Sequence, residues 1–222
     1  MIPNPYPGIF IVIDGIDGCG KSTQVKKLVD WLQSVIKNRE ILQTKEPNKN
    51  GPFGKMIYAD LARRDGLHLD QPDRFQMWYA CDSKVHLQEK IIPCLQSGGI
   101  VVSDRFRSSM VYGVRHPEDL EKLMAMNQMI IGEHFIWPDV IFVIDVPPAI
   151  AIERLQKKGV QLDGHERSSV LSRTQGYYHQ FAGRYPNCVI VEHEGDPSPE
   201  AKFGVISRYC YALLEKKTYY GV

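Results

Sequence analysis

The sequence predicts an α/β fold, a central parallel sheet with helices on both faces. Three observations carry that expectation. Short apolar runs alternate with amphipathic helical stretches along the chain, the pattern of strand–helix–strand units. The first run, Ile9-Phe10-Ile11-Val12-Ile13, leads into Gly15-Ile16-Asp17-Gly18-Cys19-Gly20-Lys21-Ser22-Thr23 and then a helical pattern over 24–36. That spacing fits G-x-x-x-x-G-K-[ST], a phosphate-binding loop in its strand–loop–helix setting. A second run, Ile100-Val101-Val102-Ser103, carries Asp104-Arg105 at its carboxyl end, where such sheets place their ligands.

The elements follow in order. Pro3, Pro5, Pro7 and Gly8 make an extended lead-in. The helix after the loop reaches about Lys37, with Val25, Leu28, Val29, Leu32 and Ile36 at helical spacing. A short strand over 40–44 ends at Lys45-Glu46-Pro47, and Asn48-Lys49-Asn50-Gly51-Pro52 is a loop by composition. A helix follows over 53–64. Residues 70–97 read as one long helix, with Pro72 in its first turn, Pro93 as a candidate kink and Gly98-Gly99 as its stop. After the strand over 100–103 come a helix over 117–131 and a strand over 140–145. Pro147-Pro148 open a helix that runs to Lys157. Residues 159–169 are polar and contain glycine, the composition of a cover rather than a core element. A helix over 170–181, a strand over 188–191 and a helix over 199–216 complete the pattern. No internal repeat interrupts it, so one domain, 1–222, is expected, with a short lid insertion at about 155–169.

Composition narrows the function classes. A chain of 222 residues with 43% hydrophobic residues is long enough for one well-buried core. The net charge of +1, from 27 basic and 26 acidic residues, excludes a global field drawing the protein to nucleic acid or a membrane. Five scattered cysteines (Cys19, Cys81, Cys94, Cys188, Cys210) without a C-x-x-C pair argue against a zinc site or a disulfide framework, and for a reducing compartment. Cys19, inside the loop, is either a modifiable thiol or a small space-filling residue. The first residues lack a signal-peptide pattern, and no apolar run approaches membrane-spanning length, so a cytoplasmic protein is expected.

The chemistry expected at each cluster follows from residue type. In the loop, glycines let backbone N–H groups converge on one anion, aided by the helix N-terminus. Lys21 reaches the β- and γ-phosphates of a nucleoside triphosphate, and the Ser22 hydroxyl ligates Mg²⁺. Asp104 is placed to hold Mg²⁺ or its waters, and Arg105 to clamp a phosphate with its planar fork. The alternative there is a capping Asp beside a solvated Arg. Arg154, Lys157, Lys158, Arg167 and Arg173 surround the lid, where arginines can neutralise a phosphoryl group in transfer once both substrates are bound. Solvated surface charge is the alternative, and the favoured one for Lys157 and Lys158. Trp78 and Tyr79 on the long helix either stack on a base or pack in the core.

Together these residues resemble the thymidylate kinase family, P-loop kinases that phosphorylate dTMP with ATP. The landmarks are Ile13 through Gln24, Thr44-Lys45-Glu46-Pro47, and Ala80-Cys81-Asp82 with His86. Later come Ile92-Pro93, Val102-Ser103-Asp104-Arg105-Phe106 with Ser109, and Ile144-Asp145-Val146-Pro147-Pro148. The resemblance spans about 10–178. It implies ATP and Mg²⁺ as cofactors, dTMP as acceptor, a homodimer, and no nucleic-acid or membrane partner. It also implies roles. Lys21 and the loop from Gly15 to Thr23 would hold the ATP phosphates, and Asp17 would face the acceptor's 3′-hydroxyl. Arg105 would grip the acceptor phosphate, with Lys49 a second candidate, and Tyr79 would stack on thymine. Ser109 and Tyr112 follow the Asp-Arg segment on the acceptor side. Some relatives carry an arginine where Gly18 stands. Those lacking it use lid arginines, which puts the transition-state charge on Arg154 and Arg167.

Three departures qualify the resemblance. Ser83 stands where the family's base-reading arginine is expected, Tyr112-Gly113 replaces the usual Ala-Tyr-Gln, and Asp14 stands where Glu is usual. The first two fall on base and sugar recognition. A kinase for another nucleoside monophosphate therefore stays open. So does a nucleotide-binding regulator, although intact Lys21, Ser22, Asp104 and Arg105 weigh against it.

Overall fold

Successive side chains of a strand point to opposite faces. Every residue of Ile9–Asp14 is nevertheless buried, so the sheet built on this strand is covered on both sides. The structure, a computed structural model, describes residues 2–63, 65–157, 159, 168–191 and 198–219. The short strand β1 (Ile2–Pro3) precedes β2 (Ile9–Asp14). The glycine-rich loop then leads into α1 (Lys21–Val35), β3 (Ile41–Lys45), α2 (Pro52–Leu61), α3 (Leu67–Asp70) and α4 (Pro72–His86). A π-helical turn, Leu87–Ile91, joins α4 to α5 (Ile92–Gln96), which precedes β4 (Ile100–Asp104). A 3₁₀ segment, Arg107–Gly113, and α6 (Asp119–Ile131) come next, followed by β5 (Ile136–Trp137), β6 (Val140–Ile144) and α7 (Pro148–Lys157). The last elements are α8 (Ser168–Arg184), β7 (Cys188–Val191) and α9 (Pro199–Tyr219).

Five strands form one parallel sheet in the order β3-β4-β2-β6-β7. Phe10 aligns with Val101 on one side of β2, and Ile11 with Val140 on the other. β2, β4 and β6 are buried along their whole length, and each fully buried Ile or Val adds roughly 1.5–3 kcal/mol. α1 packs on β2, β3, β4 and α9, while α4 packs on α2, α3 and α6. The chain leaves β2 for β3 on one side and later reaches β6 on the other. The loop after β2 therefore opens at the switch in strand order, where parallel sheets bind ligands. Among the described residues, no helix is long and apolar enough to cross a membrane.

Several elements differ from the sequence pattern. α1 stops at Val35, and the helix expected over 53–64 stops at Leu61. The stretch 70–97 is not one α-helix. Gln71 takes φ −136° and ψ 66°, separating α3 from α4, because a residue before proline is pushed out of the helical region. Pro93 lacks an N–H and crowds the carbonyl four residues back, and the helix widens into its π turn just upstream. The proline-rich lead-in contributes a strand, with Ile2 opposite Ile136. The proposed lid lies largely on residues 158 and 160–167, outside the described residues, and Arg167 and Lys158 lie there too. Ser168 and Ser169, read as cover, open α8 instead.

Candidate active site

β2 delivers the loop, and its glycines are a geometric requirement. Gly15, Gly18 and Gly20 take φ of 138°, 82° and 100°, angles open to glycine without steric cost. Gly18 also has no room for a side chain, because a Cβ there would lie 2.2 Å from the Ala151 carbonyl oxygen. α7 thus packs directly on the loop. It carries Arg154 one turn further on, whose Nη1 donates to the Cys19 carbonyl at 3.3 Å. Lys21 is buried and donates to the carbonyls of Gly15 (3.0 Å) and Ile16 (2.8 Å), with the Asp17 carboxylate 3.7 Å away. Ile16 and Cys19 are buried beneath it. Burial pushes the Cys19 thiol up, so it stays neutral and fills space.

Ser22, at the start of α1, donates to Asp104 Oδ2 at 2.9 Å. The other oxygen, Oδ1, is buried without a hydrogen-bond partner among the described residues, and Lys45 Nζ stands 3.8 Å from Oδ2. A hydroxyl beside a half-satisfied carboxylate is the donor set a hard, water-carrying cation takes.

A buried acid organises the next layer. Asp14 is fully inaccessible and accepts hydrogen bonds from Gly15 N, the hydroxyls of Ser108, Ser109 and Tyr178, and Arg105 Nη1. Arg105 holds a left-handed φ of 72°, a conformation costing a non-glycine residue about 1–3 kcal/mol. Its ion pairs with Asp14 and Asp17 and its place 5.2 Å over the Tyr112 ring offset that strain. Tyr112 Oη in turn accepts the Asp17 N–H at 2.9 Å and donates to the Asp17 carboxylate at 3.0 Å. Burial alone would raise the Asp17 carboxyl, but Arg105 and Lys21 outweigh it and hold it well below the usual range.

A cavity of about 260 Å³ opens beside these groups. It brings together six residues expected on the acceptor side: Asp17, Tyr79, Ser83, Arg105, Ser109 and Tyr112. Lys49 is exposed outside it, 5.9 Å over the ring of the lining residue Tyr58. Tyr79 stands edge-on to Phe75 at 5.3 Å. Trp78 packs against the same ring and does not line the cavity. Lys157 pairs with Glu153 on the surface, and Arg173 is exposed.

The sequence reading missed Lys45, Gln76, Arg107 and Asn127, which also line the cavity. Lys45 had a signal, as it ends a strand parallel to the one that delivers Asp104. Gln76 explains one departure, since a Cβ at Gly113 would sit 2.6 Å from its side chain. Arg107 had none, because an arginine after a strand reads as solvent-facing.

A phosphate loop on the central strand of a parallel sheet, joined by an acid and an arginine from the next strand, defines a P-loop kinase fold. Comparison with known proteins narrows that class. Residues 13–199 match the family described as Thymidylate kinase, and the chain belongs to the thymidylate kinase family. It is 30% identical over 190 residues to a probable thymidylate kinase of Thermococcus kodakarensis, covering 82% of this chain and 88% of that protein. It is 35% identical over 173 residues to a thymidylate kinase of Caldanaerobacter subterraneus subsp. tengcongensis, covering 77% and 80%. With a thymidylate kinase of Caldicellulosiruptor saccharolyticus it shares 30% identity over 217 residues, 95% of this chain and 99% of that one.

Proposed function

We propose that this protein transfers the γ-phosphoryl group of ATP to dTMP, giving dTDP and ADP. The observation that carries the reading is the junction of loop and cavity. Asp17 belongs to the loop and lines the cavity, and Arg105 ties it to Asp14 at the end of β2. A donor on the loop and an acceptor in the cavity would meet at that junction.

The loop N–H groups of 15–23 and Lys21 hold the donor phosphates, Lys21 exchanging the carbonyls of Gly15 and Ile16 for phosphate oxygens. Arg105 orients the acceptor phosphate. One of its oxygens attacks the γ-phosphorus, the bond to the β–γ bridging oxygen breaks, and ADP departs. No side chain forms a covalent bond. Mg²⁺, held by the Ser22 hydroxyl and the open Asp104 oxygen, would neutralise the donor phosphates when bound. Arg154, with Arg167 as second candidate, neutralises charge on the transferring group. Asp17 receives the acceptor's 3′-hydroxyl, Tyr79 meets its base, and Ser83, Ser109 and Tyr112 complete the wall, with Lys49 at the mouth. The proposal includes a single domain closed by a lid, a homodimer, and cytoplasmic work in nucleotide biosynthesis without nucleic-acid or membrane partners.

Ser83 in place of an arginine favours a second reading, a kinase for another nucleoside monophosphate. Coupled ADP release from ATP·Mg²⁺ with dTMP, dUMP, dCMP, dGMP, UMP and AMP separates the readings. Preference for dTMP is expected. Preference for another acceptor would keep the mechanism and change the substrate, and no turnover at all would leave a nucleotide-binding regulator.

A further inference from the structure

Arg107 takes no part in the steps above, yet it is a buried cation in the cavity wall, 3% exposed. Its Nη1 donates to the Ile136 carbonyl at 2.8 Å. Its guanidinium carbon lies 4.0 Å from the Phe135 ring centroid and 4.4 Å from that of Phe106. The other donors, Nε and Nη2, are buried and have no hydrogen-bond partner among the described residues. Burial pushes the guanidinium down to about 9, with Glu46 supplying the opposing charge, so it is still cationic at neutral pH. Buried polar groups in folded proteins are nearly always paired, and a charged donor left without a partner is costly.

Arg107 is not alone. The Ser83 hydroxyl, in the same wall, is also buried and without a partner among the described residues. Gln76 and Asn127 line that wall too, and Asn127 is fixed by an Nδ2 bond to the Leu123 carbonyl at 2.8 Å. Two aromatic rings and one carbonyl hold the guanidinium, so its open N–H groups are oriented before any ligand arrives. The missing complement is a small molecule offering acceptors.

We propose that Arg107, seconded by Ser83, reads the 4-keto oxygen of the acceptor's pyrimidine base and so sets a preference for thymine or uracil over cytosine. The inference rests on the acceptor reading above. Arginine offers donors only. Thymine presents an oxygen acceptor at position 4, where cytosine presents an amine donor. Position 4 lies across the ring from the glycosidic nitrogen, so a nucleotide anchored by its phosphate at Arg105 sends that edge deepest. A cytosine there would set donor against donor, and sites built on a buried hydrogen bond reject such mismatches strongly.

The test compares dTMP, dCMP and the 5′-monophosphate of 5-methylpyrimidin-2-one deoxyriboside, which lacks the 4-keto oxygen and, like cytosine, the N3 proton. For the wild type, kcat/KM is expected to fall on the order of 10²-fold for dCMP and for the analogue. Arg107→Met should lower kcat/KM for dTMP by on the order of 10²-fold, mostly through KM, and leave the KM for ATP unchanged. It should also treat dTMP and the analogue alike. Wild-type enzyme that uses the analogue as well as dTMP overturns the inference, as does a folded Arg107→Met that still prefers dTMP. The wild-type comparison needs no variant, so it stands even where Arg107→Met fails to fold. Wild type that turns over no pyrimidine monophosphate overturns the acceptor reading itself, a result distinct from both.

Discussion

The carbonyl oxygen of Ala151 lies 2.2 Å from the point where a side chain on Gly18 would begin. α7 and the loop are therefore in direct backbone contact, and Arg154 reaches the loop through that contact. Gly18→Ala is expected to push α7 away and to strain a φ of 82°. It should destabilise the protein by roughly 1–3 kcal/mol and weaken ATP binding tenfold or more. Calorimetric titration with ATP and thermal melting check both. Unchanged ATP affinity would show that the contact does not shape the loop.

Lys21→Ala should reduce turnover by on the order of 10³-fold or more while the melting temperature changes by a few degrees at most. Steady-state kinetics beside circular dichroism decide it. Turnover near the wild-type rate would mean the phosphate site lies elsewhere.

Arg105 pairs with Asp14 and Asp17 and is proposed to grip the acceptor phosphate, and two variants separate the two roles. Arg105→Ala leaves the Asp14 carboxylate without its cation and Asp17 with Lys21 alone, which should cost about 3–5 kcal/mol of stability besides acceptor use. Arg105→Lys keeps the charge and loses the planar fork, so it should melt nearer the wild type while KM for dTMP rises tenfold or more. If ATP binding fell equally in Arg105→Lys, the acceptor role would be wrong.

Arg154→Ala should lower kcat by on the order of 10²–10³-fold with little change in either KM, the signature of a contact realised in the transition state. A rise in the KM for ATP at constant kcat would instead make Arg154 a ground-state phosphate ligand.

Asp82 carries a pH dependence. It is buried and accepts the Asn48 N–H at 2.8 Å. Burial, with the negative Glu46 adding to it, raises its carboxyl from 3.8 to about 6. Between those values the folded protein keeps a proton the unfolded chain has lost. This group's contribution to stability therefore falls as pH rises from about 4 to about 6, by about 3 kcal/mol, and is level above that. Subtracting the Asp82→Asn stability curve from the wild-type curve should reveal that descent. A flat difference would remove the assignment.

The loop and the Asp104-Arg105 pair were legible in the sequence because fixed spacing, backbone geometry and strand position act together within a few residues. The order of strands and helices was legible because periodicity is local. The cavity wall was legible only in part. The family resemblance pointed to Tyr79, Ser83, Ser109 and Tyr112, which line it, but Arg107 opens a 3₁₀ segment, Arg107–Gly113, too short to show a period, and a buried arginine runs against every compositional expectation. The β1–β5 pairing joins Ile2 and Pro3 to residues 136 and 137 through two residues each, a contact no local pattern marks. Gly18 read as the absence of an arginine, and only the approach of Ala151 shows that no side chain fits there.

The Asp14 carboxylate bears on the mutational paths open to this chain. Glutamate at position 14 would carry its oxygens about 1.5 Å further along the side chain, into hydroxyls of Ser108, Ser109 and Tyr178 that already stand at bonding distance. Exchange at 14 is then tolerable only after one of those hydroxyls has been removed. Removing a hydroxyl first leaves the shorter acid under-satisfied. Substitutions at 14, 108 and 178 are accordingly expected to be epistatic, with a sign that depends on order, although Asp14 and Tyr178 stand 164 positions apart in the chain.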